Sequence, residues 1–195
     1  MSIITVVRND AENLKNTIKS IKHNSYRNIE YIIIDGASHD CTIEIIKSNE
    51  PYISKWISEP DNGLYHAMNK GLKMAAGDYV MFLNAGDILN NDEVLNNVFS
   101  SSANEADIYY GETIIINEQG KEIGMRRLKT PKILSWRSMK NGMVVCHQSI
   151  IVKRSIVPAY NTKFRIASDY LWVLQCLKKA KVIINTNITI SRFLD

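Results

Sequence analysis

The sequence is poor in cysteine and proline, with 3 and 4 among its 195 residues. Cys41, Cys146 and Cys176 are far apart, odd in number and without CxxC spacing. That excludes a disulfide scaffold or a zinc ribbon and points to free thiols in a reducing compartment. No run approaches the ~18 apolar residues that a membrane span needs. The apolar start Ser2–Val7 is too short for a signal core, and no small-residue cleavage site follows it. The expected location is therefore cytoplasmic. There is no GxGxxG, Walker lysine motif or nucleophile elbow. Charge of one sign is scarce too: 24 Lys and Arg face 20 Asp and Glu, and a net +4 is too small to argue for nucleic acid. No internal repeat or low-complexity linker interrupts the chain.

What is present has the balance of a globular domain, 45% hydrophobic and 23% charged. One domain over 1–195 is the economical reading. Residues 2–7 and 29–34 read as buried strands, with shorter ones at Lys55–Ser58 and Tyr79–Leu83. Helical spacing recurs between them at Ala11–Lys22, Cys41–Ser48 and Gly63–Ala75, then after Asn91 or Asp92 with Val94, Leu95, Val98 and Phe99. This alternation predicts an α/β fold with a mostly parallel sheet and helices on both faces. The turns Arg8–Asp10, Asp35–Asp40 and Asn84–Asp87 then share the carboxyl edge of the sheet, where open α/β sheets bind ligands. The second half predicts strands at Ala106–Tyr110 and Thr113–Asn117, a hairpin turn at Glu118–Lys121, and a helix from Thr130-Pro131. A strand over Met143–Val152 carrying His147 and Gln148 follows, then a helix from Asp169 capped by Ser168, and a last strand over Val182–Ile190.

Several residues have the chemistry of a site. Asp87, after Asn84-Ala85-Gly86, can offer a carboxylate to a divalent cation held with substrate phosphates, or merely cap a turn. Asp35 ends an inner strand and can accept hydrogen bonds from a base or ribose. Ser38 and Asp40 read as turn and cap residues. His66 and Lys70 share a helix face at i, i+4; by spacing alone Lys70 reads as a solvated helix lysine and His66 as packing. Asp169 in a first helical turn is as fit for capping as for general-base work. Between Lys121 and Lys140, Lys121, Arg126, Arg127, Lys129, Lys132, Arg137 and Lys140 are opposed only by Glu122. Such a patch suits anionic lipid head groups or a diphosphate-bearing acceptor, or is simply a solvated surface.

Taken in order, Ile4-Thr5-Val6-Val7-Arg8-Asn9, Ile34–Asp40, Glu59–Gly71 and Phe82–Asp87 resemble family 2 of the inverting glycosyltransferases, with the GT-A fold. Asp61-Asn62-Gly63-Leu64-Tyr65-His66-Ala67-Met68-Asn69-Lys70-Gly71 is similar to a subgroup of bacterial exopolysaccharide and O-antigen transferases. The resemblance implies a nucleotide-sugar-binding half over 1–100 and a smaller antiparallel acceptor-side half over 101–195. It implies an enzyme of surface-polysaccharide biosynthesis, dependent on Mn²⁺ or Mg²⁺. The donor would be a nucleoside-diphosphate sugar, with UDP first. The acceptor would be a saccharide, free or on a polyprenyl diphosphate, met at the inner face of the membrane.

The resemblance also implies roles. Thr5, Asn9 and Asp35 would hold the nucleoside; Asp61, Lys70 and Asn84 would line the diphosphate and donor sugar. Asp87 would hold the metal and Asp169 would be the catalytic base. His147 and Gln148 would stand near the acceptor. Two departures are visible: Gly86 stands where the family often has a first acid, and related proteins continue beyond the equivalent of Asp195, which implies an incomplete acceptor side. Two alternatives are a sugar-phosphate nucleotidyltransferase and a non-catalytic sugar-nucleotide-binding subunit. The first expects a glycine-rich basic loop after the first strand, and Val7-Arg8-Asn9-Asp10-Ala11 has no glycine.

Overall fold

A computed structural model describes residues 1–100 and 105–195. The boundary expected between residues 100 and 101 adjoins 101–104, outside the described residues. The first half alternates as the periodicity predicts: β1 (Ser2–Val7), α1 (Ala11–His23), β2 (Glu30–Asp35), α2 (Thr42–Ser48), β3 (Lys55–Ser58), α3 (Leu64–Met74), β4 (Tyr79–Phe82), β5 (Ile88–Leu89) and α4 (Val94–Ser100). The two-residue β5 has no counterpart in the sequence reading. The second half holds β6 (Ile108–Ile116), β7 (Glu122–Met125), β8 (Ile150–Lys153), α5 (Ser168–Lys179) and β9 (Ile183–Leu194).

All described strands join one mixed sheet, ordered β3-β2-β1-β4-β8-β6-β9-β5, with β7 beside β6. β3, β2, β1 and β4 run parallel. β8 then joins β4 antiparallel, so the second half extends the same sheet. β1 is buried along its whole length because both faces are covered. Ile3 and Val7 pack with Leu14, Ile18 and Ile46 of α1 and α2 and with Leu95 of α4. Ile4 and Val6 pack on the other face with Met68 of α3 and Trp172, Val173 and Cys176 of α5. The turns after β1, β2 and β4 therefore lie together at one edge. Asp40 locks two of them: it accepts from the N–H groups of Ala11 and Thr42, joining the starts of α1 and α2.

The second half departs from its predicted elements for physical reasons. Two strands merge into β6, whose register shifts at Gly111, where a Cβ would stand 2.3 Å from the Ile188 carbonyl of β9. No helix starts at Thr130-Pro131. The Tyr110 hydroxyl accepts from Leu134 N–H and donates to the carbonyls of Pro131 and Lys132, replacing intrahelical partners. His147 and Gln148 lie in a 3₁₀ turn, not a strand. A strand would send them to opposite faces. Ser168 is the first residue of α5 rather than its cap, after Ala167 in the left-handed region. β9 runs on to Leu194, past its predicted end. Cys146 and Cys176 are buried free thiols, and Cys41 is exposed.

Candidate functional site

Two adjoining hollows open along the carboxyl edge of β1, β2 and β4. One, of about 230 Å³, lies between Val7 and Arg8, Gly36, and the Asp61–Leu64 approach to α3. The other, of about 210 Å³, is lined by Tyr65, Asn84, Arg126, His147, Gln148 and Asp169. Leu64 borders both.

Three buried side-chain atoms among the described residues have no hydrogen-bond partner: Asp61 Oδ2, Asn84 Oδ1 and Arg126 Nη1. Each belongs to a residue lining one of these two hollows. A buried polar atom left unpaired costs about 1–3 kcal/mol, so native chains leave few. A larger hollow of about 390 Å³ lies between α1 and the β6–β7 turn, but none of the three residues lines it. Sequence reasoning had placed Arg126 only within a basic stretch. Its Nη2 donates to the Met143 carbonyl at 2.9 Å, which holds the guanidinium at the wall of the second hollow.

Asp169, in the first turn of α5, lines this second hollow, and its Oδ1 accepts from the Tyr65 hydroxyl at 3.3 Å. The same hydroxyl accepts from Ser168 N–H, so Tyr65 fixes the start of α5 and its carboxylate together. His147 lines the hollow from below. It stacks on Phe82 at 5.2 Å, meets the Trp172 ring edge-on and pairs with the Tyr160 hydroxyl. Burial lowers its pKa to about 4, so it is a neutral imidazole.

Other expected residues sit elsewhere. Asp169 lines one of these two hollows, whereas Asp35 and Asp87 line neither. Asp35 is fully buried beneath Gly36 and accepts from Ser38 N–H, the Ser38 hydroxyl and the Ser58 hydroxyl. Thr5 is also fully buried. Its hydroxyl donates to Leu83 C=O at 2.6 Å and accepts from Tyr31, so its side chain ties strands instead of facing a nucleobase. Asn9, at positive φ, ties two turns by accepting from His39 N–H and donating its own N–H to Ser38. Lys70 is not free for a diphosphate: it pairs with Asp61 at 2.6 Å and Glu59 at 2.8 Å. Burial alone would lower its pKa, but those carboxylates outweigh burial and raise it. Lys70 thereby holds Asp61 Oδ1, with His66 Nδ1 at 3.1 Å, and leaves Oδ2 toward the hollow wall.

Asp87 is 3% exposed, with both carboxylate oxygens engaged. Oδ2 accepts from Gln148 Nε2 at 2.8 Å, and Oδ1 from Leu194 N–H at 3.2 Å. Burial raises its pKa to about 7 against the pull of those donors. Gly86 before it has φ +94°, and a Cβ there would stand 2.6 Å from Leu194 Cδ2. A side chain at position 86 would therefore be strained by the backbone and would require Leu194 to shift. No group of three or more His, Cys, Asp or Glu fit to hold a metal occurs among the described residues. Asn84 Oδ1, unpartnered, is a hard oxygen of the kind Mg²⁺ and Mn²⁺ take, and Asp87 is the one carboxylate in the same turn. Asn84 thus offers a cation one free oxygen, while Asp87 could become a second ligand only by sharing or releasing an oxygen that now accepts from Gln148 or Leu194.

The sequence model of Glycosyl transferase family 2 matches residues 2–160. An uncharacterised glycosyltransferase of Mycobacterium tuberculosis is 32% identical over 180 residues, spanning 90% of this chain and 68% of that protein. A PGL/p-HBAD biosynthesis glycosyltransferase of Mycobacterium bovis is 27% identical over 93% of this chain and 71% of its own length. Among solved structures, S. aureus TarS 1-349 in complex with UDP-GlcNAc superimposes with a TM-score of 0.80 at 16% identity, over 100% of this chain and 58% of that one. A mannosyltransferase from Pyrobaculum calidifontis in complex with GDP-Man and Mn²⁺ gives 0.72 at 16%, over 98% and 56%. These structural likenesses show the α/β fold of GT-A glycosyltransferases. The chain spans under two thirds of either solved chain.

Proposed function

The chain belongs to glycosyl transferase family 2, and we propose that it moves a sugar from a nucleoside-diphosphate donor, UDP first, to a saccharide hydroxyl with inversion. Membership sets the nucleotidyltransferase alternative aside. One observation carries the reading: Asp61, Asn84 and Arg126, whose buried atoms Oδ2, Oδ1 and Nη1 have no partner, are all residues of the walls of these adjoining hollows. Two are acceptors and one is a cationic donor. A nucleotide sugar has the matching chemistry, with hydroxyls that donate and a diphosphate that accepts.

In this reading residues 1–195 form one GT-A domain. The nucleoside lies in the hollow between Arg8, Gly36 and Asp61. The transferred sugar and the diphosphate lie in the hollow of Asn84, Arg126 and Asp169. A divalent cation, Mn²⁺ or Mg²⁺, would be held by Asp87 and Asn84 and would supply charge neutralisation of the diphosphate. Arg126 donates to a phosphate oxygen of the leaving group. Tyr65 holds Asp169 by its 3.3 Å hydrogen bond, and Asp169 takes the proton of the acceptor hydroxyl as that oxygen attacks the anomeric carbon. The bond from the anomeric carbon to the diphosphate breaks on the opposite face, which inverts the centre. Neutral His147 lines this hollow and is backed by the buried rings of Phe82 and Trp172, which fix its orientation toward the sugar. Gln148 keeps Asp87 in place. Thr5, Asn9, Asp35 and Lys70 act behind the surface, holding the turns that shape the hollows. The acceptor is a saccharide, free or carried on a polyprenyl diphosphate, met on the cytoplasmic side. Surface-polysaccharide assembly is the setting we propose.

Asp169→Asn tests the base directly. It should lower transfer by about 10³-fold, while calorimetric affinity for UDP stays within about threefold. Transfer that survives the change would remove Asp169 from the chemistry.

A further inference from the structure

Ten large hydrophobic side chains are exposed among the described residues, and seven of them fall in two stretches. Ile123 (59%), Met125, Leu128, Ile133 (85%) and Trp136 lie within one short stretch. Phe164 and Ile166 (85%) lie in the loop before α5. The same stretch carries Lys121, Arg127, Lys129, Lys132, Arg137 and Lys140, all exposed and none in an ion pair among the described residues. Lys163 and Arg165 add charge to the second loop.

The two loops are neighbours because both are tied to the start of α5. The Tyr170 hydroxyl donates to the Met139 carbonyl at 2.7 Å, and the Ser168 hydroxyl donates to Asn161 C=O. Leu134 and Met139 are buried and anchor the longer stretch from within. Ile133 and Trp136 are therefore turned outward by the path of a pinned chain. The Arg137 guanidinium lies over the Trp136 ring at 4.9 Å, an aromatic side chain beside a cation. That pairing suits the headgroup level of a bilayer, where one side is apolar and the other wet. The stretch also adjoins the second hollow, which Arg126 and Met143 line with Asp169.

We propose that this face, residues 121–140 with 161–167, docks on a bilayer bearing anionic headgroups and so sets the mouth of the Asp169 hollow at the lipid surface. Apolar side chains alone would suit a second copy of the chain. The cations repel such a copy across a two-fold contact but complement phosphate headgroups. The proposal is independent of which sugar is moved.

The test is co-sedimentation with phosphatidylcholine vesicles, with and without about 30% phosphatidylglycerol. Binding should need the anionic lipid and weaken with salt. Two variants separate the contributions. Ile133→Ser with Trp136→Ser, and Lys129→Glu with Arg137→Glu, should each lower vesicle partition about tenfold or more. Both should keep the thermal midpoint and the calorimetric affinity for UDP, which separates this failure from failure of the glycosyl-transfer reading. No sedimentation with anionic vesicles, or equal sedimentation of the Ile133/Trp136 variant, overturns the proposal. A concentration-dependent dimer in sedimentation velocity that the same variant abolishes overturns it in favour of self-association.

Discussion

Replacing Asp87 with Asn should make the protein relatively more stable the higher the pH. Burial raises this carboxyl to about 7, against about 3.9 for a free aspartate. The folded state therefore binds more protons than the unfolded state between those values, and stability contributed by the neutral carboxyl is lost as pH rises through about 7. From about 3.9 to about 7, at about 1.36 kcal/mol per pH unit, this amounts to roughly 4 kcal/mol over the full range, of which about 2–3 kcal/mol falls between pH 5 and pH 8. Asn cannot ionise and loses no stability in this way. It brings a pH-independent cost of about 1–3 kcal/mol, because its amide faces either Gln148 Nε2 or Leu194 N–H, both donors. The difference in thermal midpoint between variant and parent isolates the ionisation. His147, lowered to about 4 by burial, destabilises both proteins as pH falls below about 6.5 and cancels from the difference. Calorimetric melts in chelator at pH 5 and pH 8 should move that difference by about 5–10 °C in favour of the variant at pH 8. An equal difference at both values would mean that Asp87 ionises freely, and the argument from burial would fail.

Arg126→Ala should weaken UDP affinity about 10- to 100-fold by titration calorimetry, since a charge-assisted hydrogen bond contributes about 1.5–3 kcal/mol, while Arg126→Lys retains part of it. An unchanged affinity would place Nη1 outside the donor's reach. Gly86→Ala should lower the thermal midpoint by about 2–8 °C, because φ +94° costs an L residue about 1–2 kcal/mol while the Leu194 side chain 2.6 Å away can shift. A midpoint within 2 °C of the parent would show that the turn relaxes at about no cost.

The parallel half was legible because its signals are local. β1 and β2 are apolar runs buried on both faces, and α1 shows one stripe of Leu14, Ile18 and Ile21. Asp169 was legible as an acid in a first helical turn. The rest of the site depends on contacts that no local pattern records. Asp87 is held by Gln148, 61 positions away, and by Leu194, 107 positions away. Lys70 showed its helix face in the i, i+4 spacing with His66. Its capture by Glu59 and Asp61 depends on how the preceding turn folds back. Arg126 looked like one cation in a basic surface. Only the path of 126–143, tied at Tyr110 and Met143, turns it toward Asp169. The helix expected at Thr130-Pro131 failed for the same reason, since a distant tyrosine hydroxyl took the backbone groups a first turn requires.

β9 pairs with β6 and β5 and ends with its Leu194 N–H on Asp87. Chains leave the ribosome from the N-terminus, and domains fold as synthesis proceeds. The first four parallel strands can therefore associate while β9 is still being made. Until that strand arrives, Asp87 lacks one of its two anchors and the turn at Gly86 lacks the Leu194 side chain it packs against. The turn that carries Asp87 is thus completed by a strand residue 107 positions downstream, after the parallel half has had time to take shape.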